Sequence, residues 1–201
     1  MDTSQNTSDQ TSSHRGRLVV ISGPSGVGKS TIVEAVLDRT SSMFSVSATT
    51  RPPRRGEVDG EDYHFLNRED FEAKVTEGDI LEWVEYGGYL YGTLRAAVDP
   101  VLRSGQSVIL DIENEGAKQI RAAYENAVLI FVSPPTLSAL QERLVGRGDT
   151  PESDMEVRLG VAAAQMTEAP YVYDHILEND DLTRTIEQVL GILRSEGVHV
   201  A

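Results

Sequence analysis

The residues Gly23-Pro24-Ser25-Gly26-Val27-Gly28-Lys29-Ser30 match Gly-x-x-x-x-Gly-Lys-[Ser/Thr] at every fixed position. Such a loop can point successive backbone N–H groups at an anion, because its glycines accept the turns required. The helix that follows adds a partial positive charge at its N-terminus. Lys29 is placed to reach the β and γ phosphates of a nucleoside triphosphate, and Ser30 to offer a hydroxyl to Mg²⁺. A second strand ending in a carboxylate is expected for the metal. Val108-Ile-Leu-Asp111 supplies it, with Glu113 two residues on; the alternative is an acidic cap for the next helix.

The phosphate loop specifies a nucleoside triphosphate and little more. The Asn-Lys-x-Asp base reader of a regulatory GTPase is absent from the sequence. What the chain has instead is a second candidate anion site. Arg51-Pro-Pro-Arg54-Arg55-Gly-Glu57 places three arginines in a stretch that Pro-Pro keeps extended. Guanidinium forks in a stiff loop suit a phosphate. The alternative is a solvated basic turn balanced by Glu57, Asp59, Glu61 and Asp62. Tyr63, Tyr89 and Tyr91 lie in the same region, and their hydroxyls could join a clamp. Glu82 sits between Leu81 and Trp83. A partly buried carboxylate there needs donors, and the N1–H and N2–H₂ groups of guanine are a parallel pair that suits one; adenine has no such pair. Ser47 and Thr93 could add hydroxyls to the base edge. The alternative for Glu82 is a solvent-facing place in an alternating strand. Arg143 and Arg147 are four apart and share a predicted helix face. With Arg158 on the next helix, they read either as surface charge or as a lid that closes arginines over phosphates.

These side chains need a scaffold, and composition bounds it. A chain of 201 residues, 39% hydrophobic and 25% charged, fits one soluble globular domain. With no cysteine there are no disulfides or thiolate metal sites, and His14, His64, His175 and His199 make no ligand spacing. No apolar run is long enough for a membrane span. The net charge is −14, which disfavours nucleic acid and anionic membranes as partners. Positive charge must therefore be concentrated locally if the ligands are anions. Fifteen of the 18 basic residues are arginine. The polar segment 1–16 is expected to be disordered and carries no secretory signal; a cytoplasmic location is expected from the missing signals.

From Arg17 onward, short apolar strands alternate with amphipathic helices. Strands are predicted at 18–21, 107–111, 127–132 and 173–177. Helices are predicted at 30–39, 71–77, 96–103, 115–124, 136–145, 153–166 and 182–193. This rhythm predicts an α/β fold with a central parallel sheet flanked by helices. Residues 45–93 break it with Pro-Pro, many glycines and short aromatic strands at 63–65, 83–86 and 89–91, and read as a mixed insertion beside the main sheet.

Taken together, these residues resemble the guanylate kinase family over 17–195. The resemblance is carried by Gly23 to Thr31, by Phe44-Ser-Val-Ser-Ala-Thr-Thr-Arg-Pro-Pro-Arg-Arg-Gly-Glu57 and by Gly60-Glu-Asp-Tyr63. It continues through Glu82-Trp83, Tyr91-Gly-Thr93, Asp111-Ile-Glu113, Arg143 to Gly148 and Asn179-Asp180-Asp181. It implies a P-loop nucleoside monophosphate kinase that moves the γ-phosphoryl group of ATP to GMP or dGMP with Mg²⁺. The core would be 17–44, 94–135 and 170–196, the GMP-binding insertion 45–93 and a helical lid 136–169. It implies that Gly23 to Thr31 hold ATP, that Arg51, Arg54, Tyr63 and Tyr91 hold the phosphate of GMP, and that Ser47, Glu82 and Thr93 read guanine. Asp111 and Glu113 would position metal and nucleotide, Arg143, Arg147 and Arg158 would be lid arginines on the transferring group, and Asn179 would lie near adenine. Glu113 stands where the family usually has Asp, and the segment 1–16 has no counterpart. The competing expectations are a kinase for another nucleoside monophosphate, and a catalytically inactive binding module of the same family. The oligomeric state is not legible.

Overall fold

In a computed structural model, the described residues are 16–147 and 152–201. The elements in chain order are β1 (Leu18–Ser22), α1 (Lys29–Arg39), β2 (Met43–Phe44), β3 (Ala48–Thr49), β4 (His64–Phe65), α2 (Arg68–Glu77), β5 (Ile80–Tyr86) and β6 (Tyr89–Leu94). They continue with α3 (Arg95–Arg103), β7 (Val108–Asp111), α4 (Asn114–Ala123), β8 (Val128–Ser133), α5 (Leu137–Arg147), α6 (Glu152–Glu168), β9 (His175–Glu178) and α7 (Leu182–Ser195). The expected disorder of the N-terminal segment concerns residues outside the described ones, except Gly16. Gly16 is ordered: its N–H donates to the Leu102 carbonyl at 2.9 Å, and a Cβ there would meet the Gln106 carbonyl oxygen at 1.8 Å. The predicted turn between α5 and α6 also lies outside the described residues at 148–151.

Five strands form a sheet in the order β2-β7-β1-β8-β9, with every pairing parallel. Side chains alternate across each strand, and the two faces carry separate cores. Val19, Ile21, Ile109, Ile130 and Val132 face α1, α5, α6 and α7, with Ile32, Val36, Leu140, Leu144, Val189 and Leu190 fully or almost fully buried among them. Leu18, Val20, Leu110, Leu129 and Phe131 face α3 and α4, against Val98, Leu102, Ala117 and Ile120. Near-continuous apolar strands are the signature of a sheet covered on both faces. The carboxyl ends of β1 and β7 lie side by side, with Ile21 opposite Asp111. Ligands bind at that edge of such sheets.

Residues 48–94 hold the second sheet, in the order β4-β3-β6-β5, with β3–β4 parallel and the other pairs antiparallel. Its small core is Ala48, Phe71, Ile80 and Leu90. Helix α2 starts three residues before the predicted 71, because Asn67 caps it: the Asn67 side-chain oxygen accepts from the Asp70 N–H at 2.7 Å. The last strand is shifted from the predicted 173–177 to His175–Glu178. A 3₁₀ turn at Ala169–Tyr171 precedes it, and Tyr173 is a core residue whose ring lies 5.1 Å from that of Phe131. The two-residue strands β2 and β3 carry no sequence pattern of their own; they exist through pairing with β7, β4 and β6.

Because Phe71 is fully buried in so small a core, Phe71→Ala is expected to destabilise the protein by about 3–5 kcal/mol. The measurement is the urea midpoint, and an unchanged midpoint contradicts that packing role.

Candidate active site

The phosphate loop leaves β1 at Gly23 and enters α1 at Lys29. Gly23, Gly26 and Gly28 all have positive φ, and each also faces a close neighbour. A Cβ would meet the Val132 carbonyl oxygen at 2.2 Å from Gly23, Leu144 Cδ2 at 2.7 Å from Gly26 and Asn179 Nδ2 at 2.9 Å from Gly28. Both conformation and space therefore demand glycine. The middle of the loop is fastened from beneath at the Val27 carbonyl, which accepts from Asn179 Nδ2 at 2.8 Å and from Arg143 Nη1 at 3.3 Å. Arg143 Nη2 also donates to the Asn179 carbonyl at 2.7 Å, and Thr185 Oγ1 donates to Asn179 Oδ1 at 3.1 Å. Asn179 is buried, so its side chain is committed to the loop.

Lys29 Nζ donates to the Gly23 carbonyl at 2.7 Å and lies 3.9 Å from Asp111 Oδ1. Burial pushes the Asp111 carboxyl above its ordinary range; Lys29 opposes that shift and Glu113 adds to it. Ser25, Gly26, Gly28, Lys29, Ser30, Thr31 and Glu113 line a pocket of about 220 Å³, and Ser30 and Thr31 are exposed to it. A larger groove of about 530 Å³ lies between α5 and α6. Leu137, Met155, Leu159 and Ala163 make it mostly apolar, and no set of charged donors converges there. The lining suited to an anion is that of the smaller pocket.

Glu113 occupies the N-cap position of α4, yet its side chain does not cap the helix. It accepts instead from the Gln165 side-chain amide of α6. Asn114 next to it donates to Glu168 at 3.1 Å and accepts from the Tyr173 hydroxyl at 2.9 Å. The end of α6 is thus tied to the β7–α4 junction. Arg158 lies half-exposed on α6. Arg147 ends α5, and its side chain is outside the described residues.

The second sheet presents the other candidates. Thr49 Oγ1 accepts from the Arg51 N–H at 3.1 Å and donates to the Leu90 carbonyl at 2.9 Å. That fixes the backbone where the arginine loop begins. The Arg51 guanidinium is buried over the rings of Tyr63, at 5.3 Å, and Phe65, at 5.9 Å. Tyr63 and Tyr91 meet edge-on at 6.1 Å. Burial pushes the Tyr63 hydroxyl above its usual range; Tyr91 adds to that and Arg51 opposes it, with smaller contributions from Glu57 and Asp111. Arg51, Tyr63 and Tyr91 are therefore brought together, within electrostatic reach of Asp111. Arg54 and Arg55 are exposed. Ser47 is half-exposed just before β3, its carbonyl accepting from the His64 N–H at 2.9 Å.

Glu82 is 3% exposed and Trp83 is 39% exposed, which settles the Glu82 alternatives in favour of burial. The cause is a bulge in β5: Ile80 pairs with Leu94, and Glu82 already pairs with Thr93. A bulge switches the face that a strand's side chains take. Ile80 stays with Phe71, Leu81 joins the core beneath the large sheet, and Glu82 reaches α4. Thr93 Oγ1 donates to Glu82 Oε1 at 2.7 Å. Burial pushes the Glu82 pKa up to about 7, with the Thr93 side chain and backbone opposing the shift. Two residues that sequence reasoning does not single out set this position. A Cβ on Gly116 would lie 2.4 Å from Glu82 Oε2. The Gln119 amide accepts from the Trp83 N–H at 3.1 Å and donates to the Trp83 carbonyl at 2.8 Å, pairing with the edge strand as another strand would. A glycine in the first turn of a predicted helix is the available signal for Gly116, since glycine there costs about 1 kcal/mol without a reason.

The guanylate kinase family model matches residues 15–196. Guanylate kinase of Thermus thermophilus is 49% identical over 183 residues, covering 90% of this chain and 82% of its own length. That of Rubrobacter xylanophilus is 48% identical over 181 residues, covering 90% and 94%. Among solved structures, guanylate kinase from Anaplasma phagocytophilum superposes with a TM-score of 0.74 at 32% identity, over 91% of this chain and 87% of that one.

The packing of Glu82 yields a contrast between two helical glycines. A Cβ on Gly160 of α6 would meet nothing within 4 Å, whereas one on Gly116 would run into Glu82. Gly160→Ala is expected to stabilise by about 0.5–1 kcal/mol, and Gly116→Ala to lower the thermal midpoint despite the same gain in helix propensity. Equal shifts of one sign in both would contradict the close approach at Gly116.

Proposed function

The chain belongs to the guanylate kinase family, the ATP:GMP phosphotransferases, and from that premise we propose which residues carry out the transfer from ATP to GMP that yields ADP and GDP. The observation that carries the assignment is Glu82, a buried carboxylate oriented by Thr93 and set in the sheet that carries Tyr91 on β6 and is flanked by Arg51 after β3 and Tyr63 before β4. Glu82 accepts the N1–H and N2–H₂ groups of guanine, Thr93 fixes which way its carboxylate faces, and Ser47 completes the base edge. Arg51, Arg54, Tyr63 and Tyr91 hold the phosphate of GMP. Because these contacts read base and phosphate, dGMP is proposed as a second acceptor. Residues 45–93 then form the GMP-binding insertion, 136–169 the lid, and the remaining segments the core.

The attacking oxygen belongs to a phosphate that is already anionic, so the transfer needs no general base. The work is to bring two anions in line and to stabilise charge on the equatorial oxygens. Residues Gly23 to Thr31 present backbone N–H groups to ATP, and Lys29 exchanges its bond to the Gly23 carbonyl for phosphate oxygens. Arg143 and Asn179 act on ATP by holding the loop at Val27, the bonds they already make. Arg147 and Arg158 are assigned to the transferring group as lid arginines. Asp111 holds Lys29 from the side, and Glu113 lines the pocket with it.

Mg²⁺ fits these residues. The described residues contain no cluster of three His, Cys, Asp or Glu that would cage a metal. A magnesium ion takes few protein ligands when phosphates and water supply the rest, and Ser30 with the raised carboxyl of Asp111 are the chain's own donors. Held there, the ion would supply positive charge to offset that of the triphosphate. No helix among the described residues is long and apolar enough to cross a membrane.

Lys29→Ala is expected to lower kcat at least about 100-fold with the thermal midpoint nearly unchanged, in a coupled ADP assay. Near-normal turnover would remove Lys29 from the mechanism. The Glu82 role has a pH signature. Its pKa is raised to about 7 in the free protein, and guanine donors favour the ionised form, so below that pKa GMP binding must displace a proton. KM for GMP should therefore rise about tenfold from pH 8 to pH 6 by linkage, while KM for ATP stays flat. Glu82→Gln should raise KM for GMP and flatten its profile. Parallel GMP and ATP profiles would contradict base reading by Glu82.

A further inference from the structure

The guanidinium of Arg51 is already gripped by another residue of its own loop. Arg51 Nη1 donates to Glu57 Oε2 at 2.9 Å and Nη2 to Glu57 Oε1 at 2.8 Å. Nη1 spends its second hydrogen on the Pro52 carbonyl, at 2.8 Å. Glu57 Oε2 also accepts from the Arg54 N–H at 2.6 Å, and the Glu57 N–H donates back to the Arg54 carbonyl at 3.1 Å. The carboxylate therefore closes the loop 51–57 on itself and aligns one arginine within it. The stretch that reads in sequence as a basic turn balanced by acids is balanced by one acid in a specific geometry.

A guanidinium has five N–H donors, four of which pair into two forks. Glu57 and Pro52 use both Nη1 hydrogens and one on Nη2. Neither Glu57 nor Pro52 engages Nε–H or the second Nη2–H, which form the lateral fork; the Tyr91 hydroxyl also interacts with the guanidinium. The rings of Tyr63 and Phe65 lie at 5.3 and 5.9 Å and hold the plane of the group. A long, rotamer-rich side chain that is held on one fork loses little further freedom when the other fork binds.

We propose that Glu57 is a positioning residue for the phosphate of GMP: by occupying the terminal fork of Arg51 it presents the lateral fork to the substrate. The proposal rests on the assignment of Arg51 to that phosphate. It also has a definite opposite. A carboxylate beside a phosphate site could instead compete with the substrate for Arg51, and removing it would then tighten GMP binding.

The test is kinetic, on the full chain, with guanosine as the probe that lacks the phosphate. KM for GMP and Ki for guanosine as a competitive inhibitor are measured for the wild type, Glu57→Gln, Glu57→Asp and Arg51→Lys. Glu57→Gln should raise KM for GMP at least about tenfold, with Ki for guanosine and KM for ATP unchanged. Glu57→Asp keeps the charge but is one methylene too short to reach the guanidinium from this backbone position, and should behave like Glu57→Gln. An unchanged or lower KM for GMP in Glu57→Gln overturns the proposal, as does a wild-type KM in Glu57→Asp or an equal loss for GMP and guanosine. Arg51→Lys separates the two levels. If it weakens GMP selectively while Glu57→Gln does not, only the role of Glu57 falls. If it leaves the GMP-to-guanosine ratio intact, the Arg51 assignment itself falls.

Discussion

In the proposed active site of this acidic protein, three cations, Lys29, Arg51 and Arg143, are each held by oxygens of the chain itself. Lys29 rests on the Gly23 carbonyl beside Asp111, Arg51 on Glu57 and the Pro52 carbonyl, and Arg143 on the carbonyls of Val27 and Asn179. A net charge of −14 offers no long-range attraction to ATP or GMP. Affinity has to come from short-range donors that are already aimed. Backbone carbonyls and carboxylates do that at little entropic cost, since each fixes a flexible side chain before the ligand arrives. The glycines at 23, 26 and 28 belong to the same arrangement: without them the loop could not come close enough to Val132, Leu144 and Asn179 to be fastened.

Glu82 follows the opposite logic. Its surroundings do not supply a cation, and burial keeps its carboxyl near neutrality, with a pKa of about 7. Thr93 donates its hydroxyl to one oxygen, and its backbone also favours the ionised form. A buried acceptor discriminates strongly, because a ligand without the matching donors does not satisfy it. Base selectivity in this reading comes from a buried carboxylate, and phosphate affinity from cations already aimed.

The parts legible in the sequence are those whose chemistry is local. The phosphate loop, the apolar strands β1, β7 and β8 and the helices that follow them are written in contiguous residues, and the parallel sheet follows from their order. Less is legible where tertiary contacts decide. Strands β2 and β3 are two residues each and form by pairing alone. The inward turn of Glu82 depends on a one-residue bulge, which no alternation pattern reveals. The resemblance that sets Asn179 beside adenine gives no sign that its amide is spent on Val27. Glu57 is visible in the sequence only as a counter-charge, because its alignment on Arg51 needs the turn at 54–57 to be known.

The segment from Asp111 to Gln119 explains how the two proposed nucleotide sites, on different sheets, are kept in register. Asp111 touches Lys29 and acts on Tyr63. Glu113 and Asn114 hold Gln165 and Glu168 of α6, Gly116 receives Glu82, and Gln119 grips the backbone of Trp83. One strand end and the first two turns of one helix thus contact the phosphate loop, the helix that carries Arg158 and the strand that carries Glu82. In-line transfer tolerates little displacement of either substrate. A rigid element anchored in the core by Leu110, Ala117 and Ile120 meets that requirement better than a direct contact between two sheets would, because each site is then referred to the same fixed frame.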